Sequence, residues 1–329
     1  MPADPQYDVL AIGNAIVDVI ARADDDFLVR QGMPKGAMAL IDEARALAIY
    51  DAMGATVEIS GGSAANSIVG VASFGGRAAF CGKVRQDTLG GAFAHDIRAA
   101  GVAFHTPTAP DGPSTGRCYI LVTPDGERTM NTYLGAAQNL RPEDIDGDLV
   151  AASSIVYLEG YLWDPPHAKA AFRKAAELAH AAGRLVALTL SDAFCVDRYR
   201  DEFVQLARSG TVDLLFANEA ELKSLYQTAD FDTAVKTLRE DAALAVVTRS
   251  EQGCIVVTRE RTIAVPAFPI GRLVDTTGAG DLFAAGFLFG LARGAEHEVC
   301  ARLGALAAAE VIQHLGARPE TSLAGLAAE

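Results

Sequence analysis

The chain has 329 residues, half of them hydrophobic, enough for one large core or about two ordinary domains. Its formal net charge is −14, so no basic stripe exists to neutralise nucleic-acid phosphates or an anionic membrane. Five scattered cysteines contain no CxxC pair, which argues against a structural zinc site or a disulfide framework and for reduced, buried thiols.

From the N-terminus, "DVLAIG" (8–13) reads as a buried strand. The first twenty residues lack a basic stretch with a cleavage-type signal. No apolar run approaches the roughly 18 to 20 residues of a spanning helix, so the expected location is the cytoplasm. Residues 14–60 break the pattern, with "AIVDVIARA", "GAMALI" and "TVEIS" strand-like and 42–53 helical. A helix over 63–74 precedes the strand "RAAFCG" (77–82), and another spans 88–100. Residues 115–134 predict a hairpin turning at the "PDG" of 124–126. Strands at 154–160, 184–190, 212–218 and 244–250 then alternate with helices at 166–182, 198–208, 219–226 and 231–242. Such alternation implies right-handed βαβ units, a mostly parallel sheet and a ligand crevice at the carboxyl ends of its strands. The strand-rich segments, about 14–60 and 115–134, are expected to form one small projecting sheet, either a lid over that crevice or an ordinary surface excursion.

Four stretches carry candidate chemistry. In "ISGGSAANSIVGVASFGG" (59–76), Gly62 and Ser63 open a helix, and Asn66 lies about one turn in, where its amide could reach sugar hydroxyls. A glycine turn with a serine N-cap explains the same residues. In "LFANEAEL" (215–222), Asn218 and Glu221 stand at i, i+3 and could hold a hydrated Mg²⁺. An asparagine N-cap with acidic first-turn residues is the competing reading. In "VVTRSEQGCIVV" (246–257), Arg249 could meet a phosphate, or the stretch is a surface hairpin.

The fourth is "DTTGAGDLFAAGFLFGL" (275–291). The amides of Gly278, Ala279 and Gly280, with the N-terminus of the following helix (281–292), could form an anion nest. Asp281 beside it could take a proton from an attacking hydroxyl. An oxyanion site next to a base is what phosphoryl transfer to an alcohol requires. A Walker-type GxxxxGK[ST] loop, HExxH and GxSxG are all absent from the sequence.

With "AIGNAIVDV", "GGSAANSI", "NEAE" and "DTTGAGDLFAAGF" in this order, the chain resembles the ribokinase/PfkB family of carbohydrate and nucleoside kinases along nearly its whole length. The resemblance implies a single ribokinase-like kinase domain over 1–329. That domain is a three-layer α/β/α body with a mostly parallel central sheet, a small β-sheet lid and an ATP site in its C-terminal part. It implies Asp281 as catalytic base and Gly278, Ala279 and Gly280 as the anion hole. Asn218 and Glu221 would organise Mg²⁺ through water, and Thr248 and Gly253 would lie near the ATP ribose and adenine. Asp275 and Thr277 match positions that ligate K⁺ in many members. Asn14, Asp18, Gly62 and Asn66 match acceptor contacts, and Arg128 matches a lid arginine that approaches the phosphates. "GNAIVDVIARADDDFL" is most similar to the adenosine-kinase branch of the family. That likeness implies a purine wall, for which Met38, Leu40, Tyr161 and Trp163 are candidates, unless they are core. The expected reaction is ATP-dependent phosphorylation of the 5′-hydroxyl of adenosine. The alternatives are another nucleoside (inosine, guanosine), a sugar (ribose, fructose, a ketosugar acid) or a non-catalytic nucleoside-binding module. The expected partners are small molecules only, in a monomer or homodimer.

Overall fold

A computed structural model describes residues 4–328. Fourteen strands form in the described residues. They are β1 (Tyr7–Ile12), β2 (Ile16–Arg22), β3 (Met38–Leu40), β4 (Val57–Gly61), β5 (Ala78–Cys81), β6 (Val102–Phe104) and β7 (Gly116–Val122). There follow β8 (Arg128–Tyr133), β9 (Ser153–Glu159), β10 (Leu185–Thr189), β11 (Leu214–Asn218), β12 (Leu244–Thr248), β13 (Cys254–Thr258) and β14 (Thr262–Val265).

Nine strands build the large sheet, in the order β14-β13-β12-β11-β10-β9-β1-β5-β6. It is parallel from β12 to β6, and the β12–β13–β14 edge is antiparallel. Both faces are buried, which explains the near-continuous apolar strands. Successive side chains of β1 go to opposite faces. Val9 and Ala11 join a core with the helices Ser63–Ser73, Ala279–Ala292 and His297–Val311. Leu10 and Ile12 join the opposite core with Pro166–Ala181, Ala193–Arg208 and Phe231–Asp241. The expected α/β/α layering is present.

The two segments that break the alternation form a second sheet of five strands, in the order β3-β8-β7-β2-β4. On one face, Val17, Val19, Tyr119 and Leu121 pack with Leu28, Ala46 and Ile49 from the short helices Asp25–Arg30 and Glu43–Ala52. The other face carries Ile16, Asp18 and Ile20 of β2, with Cys118 opposite Asp18 in the register. Met38, Leu40 and Val57 are exposed there.

One helix boundary changes, and one open alternative is decided. The helix expected at 198–208 begins at Ala193, because Asp192 caps it by accepting from the Cys195 amide at 2.6 Å; a kink at Tyr199 hid the first turn. The "TRSEQG" stretch is the turn of the β12–β13 hairpin, with a short 3₁₀ turn at Ser250–Gln252. The helix His297–Val311 and the short strands β6 and β14 add to the expected elements.

Candidate active site

Two helix N-termini meet at Asp281. The helix Ala279–Ala292 begins after Gly278, whose φ of +78° is left-handed. A side chain there would also come within 2.7–2.8 Å of Ala317, so only glycine makes this turn without strain. The helix Ser63–Ser73 begins after Gly62, where φ is +105° and a Cβ would collide with the Asn14 carbonyl. Ser63 donates its hydroxyl to Asp281 Oδ1 at 2.6 Å, and Asn66 Nδ2 donates to Oδ2 at 3.3 Å. Burial raises the Asp281 carboxyl to about 6, opposed by the bonds from Ser63 and Asn66. A carboxylate with that acidity is ionised at neutral pH yet basic enough to accept a proton.

The acceptor candidates lie on one side of Asp281. Asn14 is buried, donating its amide and Nδ2 to Glu159 at 3.2 and 2.7 Å. Asn14 Oδ1 is buried without a hydrogen-bond partner, an open acceptor for a ligand donor. Glu159 also accepts from the Ala64 amide at 3.0 Å, which ties the end of β9 to the start of the 63–73 helix. Burial raises Glu159 to about 7. The Asp18 carboxylate lies against the backbone of Gly61, where any Cβ would overlap it. Burial raises Asp18 to about 6, against the charges of Arg318 and Arg128 and with that of Asp281.

At the carboxyl ends of β11 and β12, Asn218 and Thr248 are register neighbours. Asn218 and Glu221 form a closed capping box. The Asn218 amide and Nδ2 donate to Glu221 at 3.0 and 2.5 Å, and the Glu221 amide donates back to Asn218 Oδ1 at 2.9 Å. The capping reading of this pair is therefore satisfied outright. Glu221 is nonetheless buried and raised to about 7, by burial first and by the like charge of Asp192 in addition. Tyr161 stands between the two halves of the crevice. Burial raises its phenol well above the ordinary range, and the charges of Asp192, Asp281 and Glu221 add to this.

Several expected site residues are engaged otherwise. Trp163 is removed from the purine wall: it is fully buried in the core on the opposite face of the sheet, between Phe172 and Phe203, with its indole N–H donated to Glu202 at 3.1 Å. Arg249 pairs with Glu219 at 2.9 Å and stacks over Phe231, so it is held away from a free phosphate-binding pose. Gly253 packs its backbone against Val265–Ala267 of the hairpin edge, a structural reason for glycine there. Arg128 reaches from the small sheet to a buried ion pair with Asp275. Asp275 further accepts from the Thr277 amide and hydroxyl at 2.9 and 2.7 Å and from the Gly316 amide at 3.0 Å. These four donors engage the Asp275 carboxylate fully. Met38 and Leu40 are exposed on the Asp18 face of the small sheet.

The family model for pfkB carbohydrate kinases matches residues 42–323. The chain belongs to the pfkB carbohydrate kinase family. As a member it is a phosphotransferase with an alcohol group as acceptor, and ATP is the implied co-substrate. Adenosine kinase 2 of Arabidopsis thaliana is 28% identical, over 96% of this chain and 97% of its own. The solved structure of adenosine kinase from Sinorhizobium meliloti is 57% identical with a TM-score of 0.91, covering 98% of this chain and 99% of that one. A structure described as a probable sugar kinase from Rhizobium etli is 52% identical with a TM-score of 0.92, covering 98% of each.

If Mg²⁺ accompanies ATP here, Asn218 and Glu221 at the carboxyl end of β11 are the residues that would meet it. Among the described residues no group of three or more His, Cys, Asp or Glu forms a cage for a metal. The like charge of Asp192 acts on Glu221, and Arg249 is occupied by Glu219. The buried Glu221 carboxylate would fit a Mg²⁺ ion held through its waters. Reading motifs from the sequence missed Arg318 and Glu159. Arg318 donates to Asn66 Oδ1 at 3.4 Å, Asp96 at 3.1 Å and Ser60 at 2.6 Å. Arg318 is the one basic residue in "GARPETS", which sets it apart only weakly. Among the described residues, no helix is long and apolar enough to cross a membrane.

Proposed function

We propose that this kinase phosphorylates the 5′-hydroxyl of adenosine, giving AMP and ADP. The observation that carries the chemistry is Asp281, hydrogen-bonded by Ser63 and Asn66 where two helix N-termini converge. The acceptor follows from the adenosine kinases this chain is similar to over nearly its full length. In this reading Asp281 takes the 5′-hydroxyl proton, the oxygen attacks the γ-phosphorus, and the bond from that phosphorus to the β–γ bridging oxygen breaks to release ADP. The amides of Gly278, Ala279 and Gly280 and the helix behind them stabilise charge on the moving phosphoryl group. Asp18 accepts hydrogen bonds from two ribose hydroxyls, and Asn14 and Asn66 orient the sugar. Tyr161, Met38 and Leu40 border the base. Thr248 lies by the nucleotide, and Glu221 with Asn218 would hold Mg²⁺ through water, an ion that would supply neutralising charge to the phosphates.

The small sheet serves as a lid in this account, fastened by the Arg128–Asp275 pair beside the anion-binding turn. Its closure excludes water from the transferred group. The second reading, a sugar kinase using the same residues, is favoured by the likeness to the Rhizobium etli structure. An acceptor panel of adenosine, inosine, guanosine, ribose and fructose with coupled ADP detection separates the two. Adenosine is expected to give the highest kcat/KM. Turnover of a free sugar with adenosine inert would sink the adenosine assignment.

A further inference from the structure

The C-terminal segment after the helix His297–Val311 turns back into the site and is pinned at several points. The Gly316 amide donates to Asp275, and Ala317 lies against Gly278 of the anion-binding turn. The Glu320 and Thr321 amides donate to buried Glu310 at 3.0 and 2.8 Å, and the Leu323 amide donates to Ser73 Oγ at 3.1 Å. Between these anchors stands Arg318, its side chain 17% exposed. Three of its five N–H groups are used on Asn66, Asp96 and Ser60, which leaves two facing the remaining space. Ser60 adjoins Gly61, the residue over which the Asp18 carboxylate lies.

We propose that Arg318 is a positioning residue of the acceptor pocket, holding the Asn66 amide toward Asp281 and setting a positive charge beside the diol-accepting carboxylate of Asp18. The proposal rests on the reading of Asp18 and Asn66 as acceptor contacts. The geometry makes a relay: Arg318 fixes Asn66 Oδ1, which leaves Nδ2 for Asp281. One residue thereby touches both the acceptor side and, through Asn66, the base. The charged and titratable groups around Asp18 are Arg318, Arg128, Asp281 and Cys118, and Asp96 partly balances Arg318. Arg318 and Arg128 both offset the cost of ionised Asp18 in this buried pocket, and the contribution of Arg318 is the larger. Lysine could supply the charge but cannot reproduce the three-way fork.

The test compares wild type, Arg318→Met and Arg318→Lys by calorimetric adenosine binding and by steady-state kinetics from about pH 5 to 9. For Arg318→Met, adenosine affinity is expected to fall about tenfold or more, while KM for ATP changes by no more than about twofold. The acid limb of kcat/KM for adenosine moves to higher pH, because removal of a cation raises the Asp18 carboxyl further. Arg318→Lys restores the limb but not full affinity. Unchanged adenosine affinity in Arg318→Met would overturn the proposal. So would a parallel fall in both substrate affinities and in Tm with the limb unmoved, since that marks a purely structural role. If wild type ignores adenosine yet phosphorylates ribose or fructose, the adenosine assignment falls, and the same comparison on that sugar decides the role of Arg318.

Discussion

Replacing Asp281 by asparagine removes the proposed base and keeps its shape. The amide can still accept the Ser63 hydroxyl that the carboxylate accepts at 2.6 Å, so the helix start has little reason to move. General-base catalysis contributes about 10²- to 10⁴-fold, or about 3–5 kcal/mol of activation free energy. The expected result is a loss of kcat in that range with KM for ATP and for the acceptor nearly unchanged. The carboxyl raised to about 6 adds a second signature. The base works as the anion, so wild-type activity is present above that value and lost as pH falls through it. From about pH 7.5 to about pH 5 the ionised fraction drops about tenfold, and kcat should follow. The asparagine variant should lose this dependence from its residual kcat. Coupled ADP release across pH, with single-turnover measurements to isolate the chemical step, reads both effects. A variant within about tenfold of wild type, or one that keeps the same acid limb, would refute the assignment of Asp281.

Gly278→Ala places a side chain in the left-handed region, costing about 1–2 kcal/mol, and against Ala317. Tm is expected to fall by about 2 to 6 °C and kcat to fall with it; an unaltered kcat would detach this turn from the transferred group. Arg128→Met breaks the Arg128–Asp275 pair, and kcat/KM for ATP should drop about tenfold while acceptor-independent ATP hydrolysis rises relative to transfer. An unchanged ratio of hydrolysis to transfer would argue against the lid. Trp163→Phe removes one donor from Glu202, which keeps Lys169, and thins the core, at about 1–3 kcal/mol, seen as a lower Tm in thermal denaturation. KM for adenosine should stay constant in that variant, and a large rise would return Trp163 to the purine wall.

The body of the fold was readable because its signals are local. Val9, Ala11, Leu10 and Ile12 mark a strand buried on both faces, and glycines mark the helix starts that follow. Gly278 and Asp281 were readable for the same reason, since small and acidic residues in front of an apolar helix announce an open helix end, whereas the resemblance alone joined Asn66 to them across 215 residues. Tyr161 and Trp163 show the limit. They are two residues apart on one short 3₁₀ turn, and only packing decides that one faces the crevice and the other the core. Arg249 looked free because its partner Glu219 lies thirty residues earlier. Arg318 escaped notice because its three partners are brought to it by tertiary structure alone, from more than two hundred residues away.

The central claim is the identity of the phosphorylated group. Purified protein incubated with adenosine and MgATP should yield one new phosphomonoester, and ³¹P NMR with a proton-coupled spectrum should place it on the 5′ carbon as AMP, in a one-to-one ratio with ADP. ADP formed without AMP, or phosphate found on a 2′ or 3′ oxygen or only on a free sugar, would contradict the account.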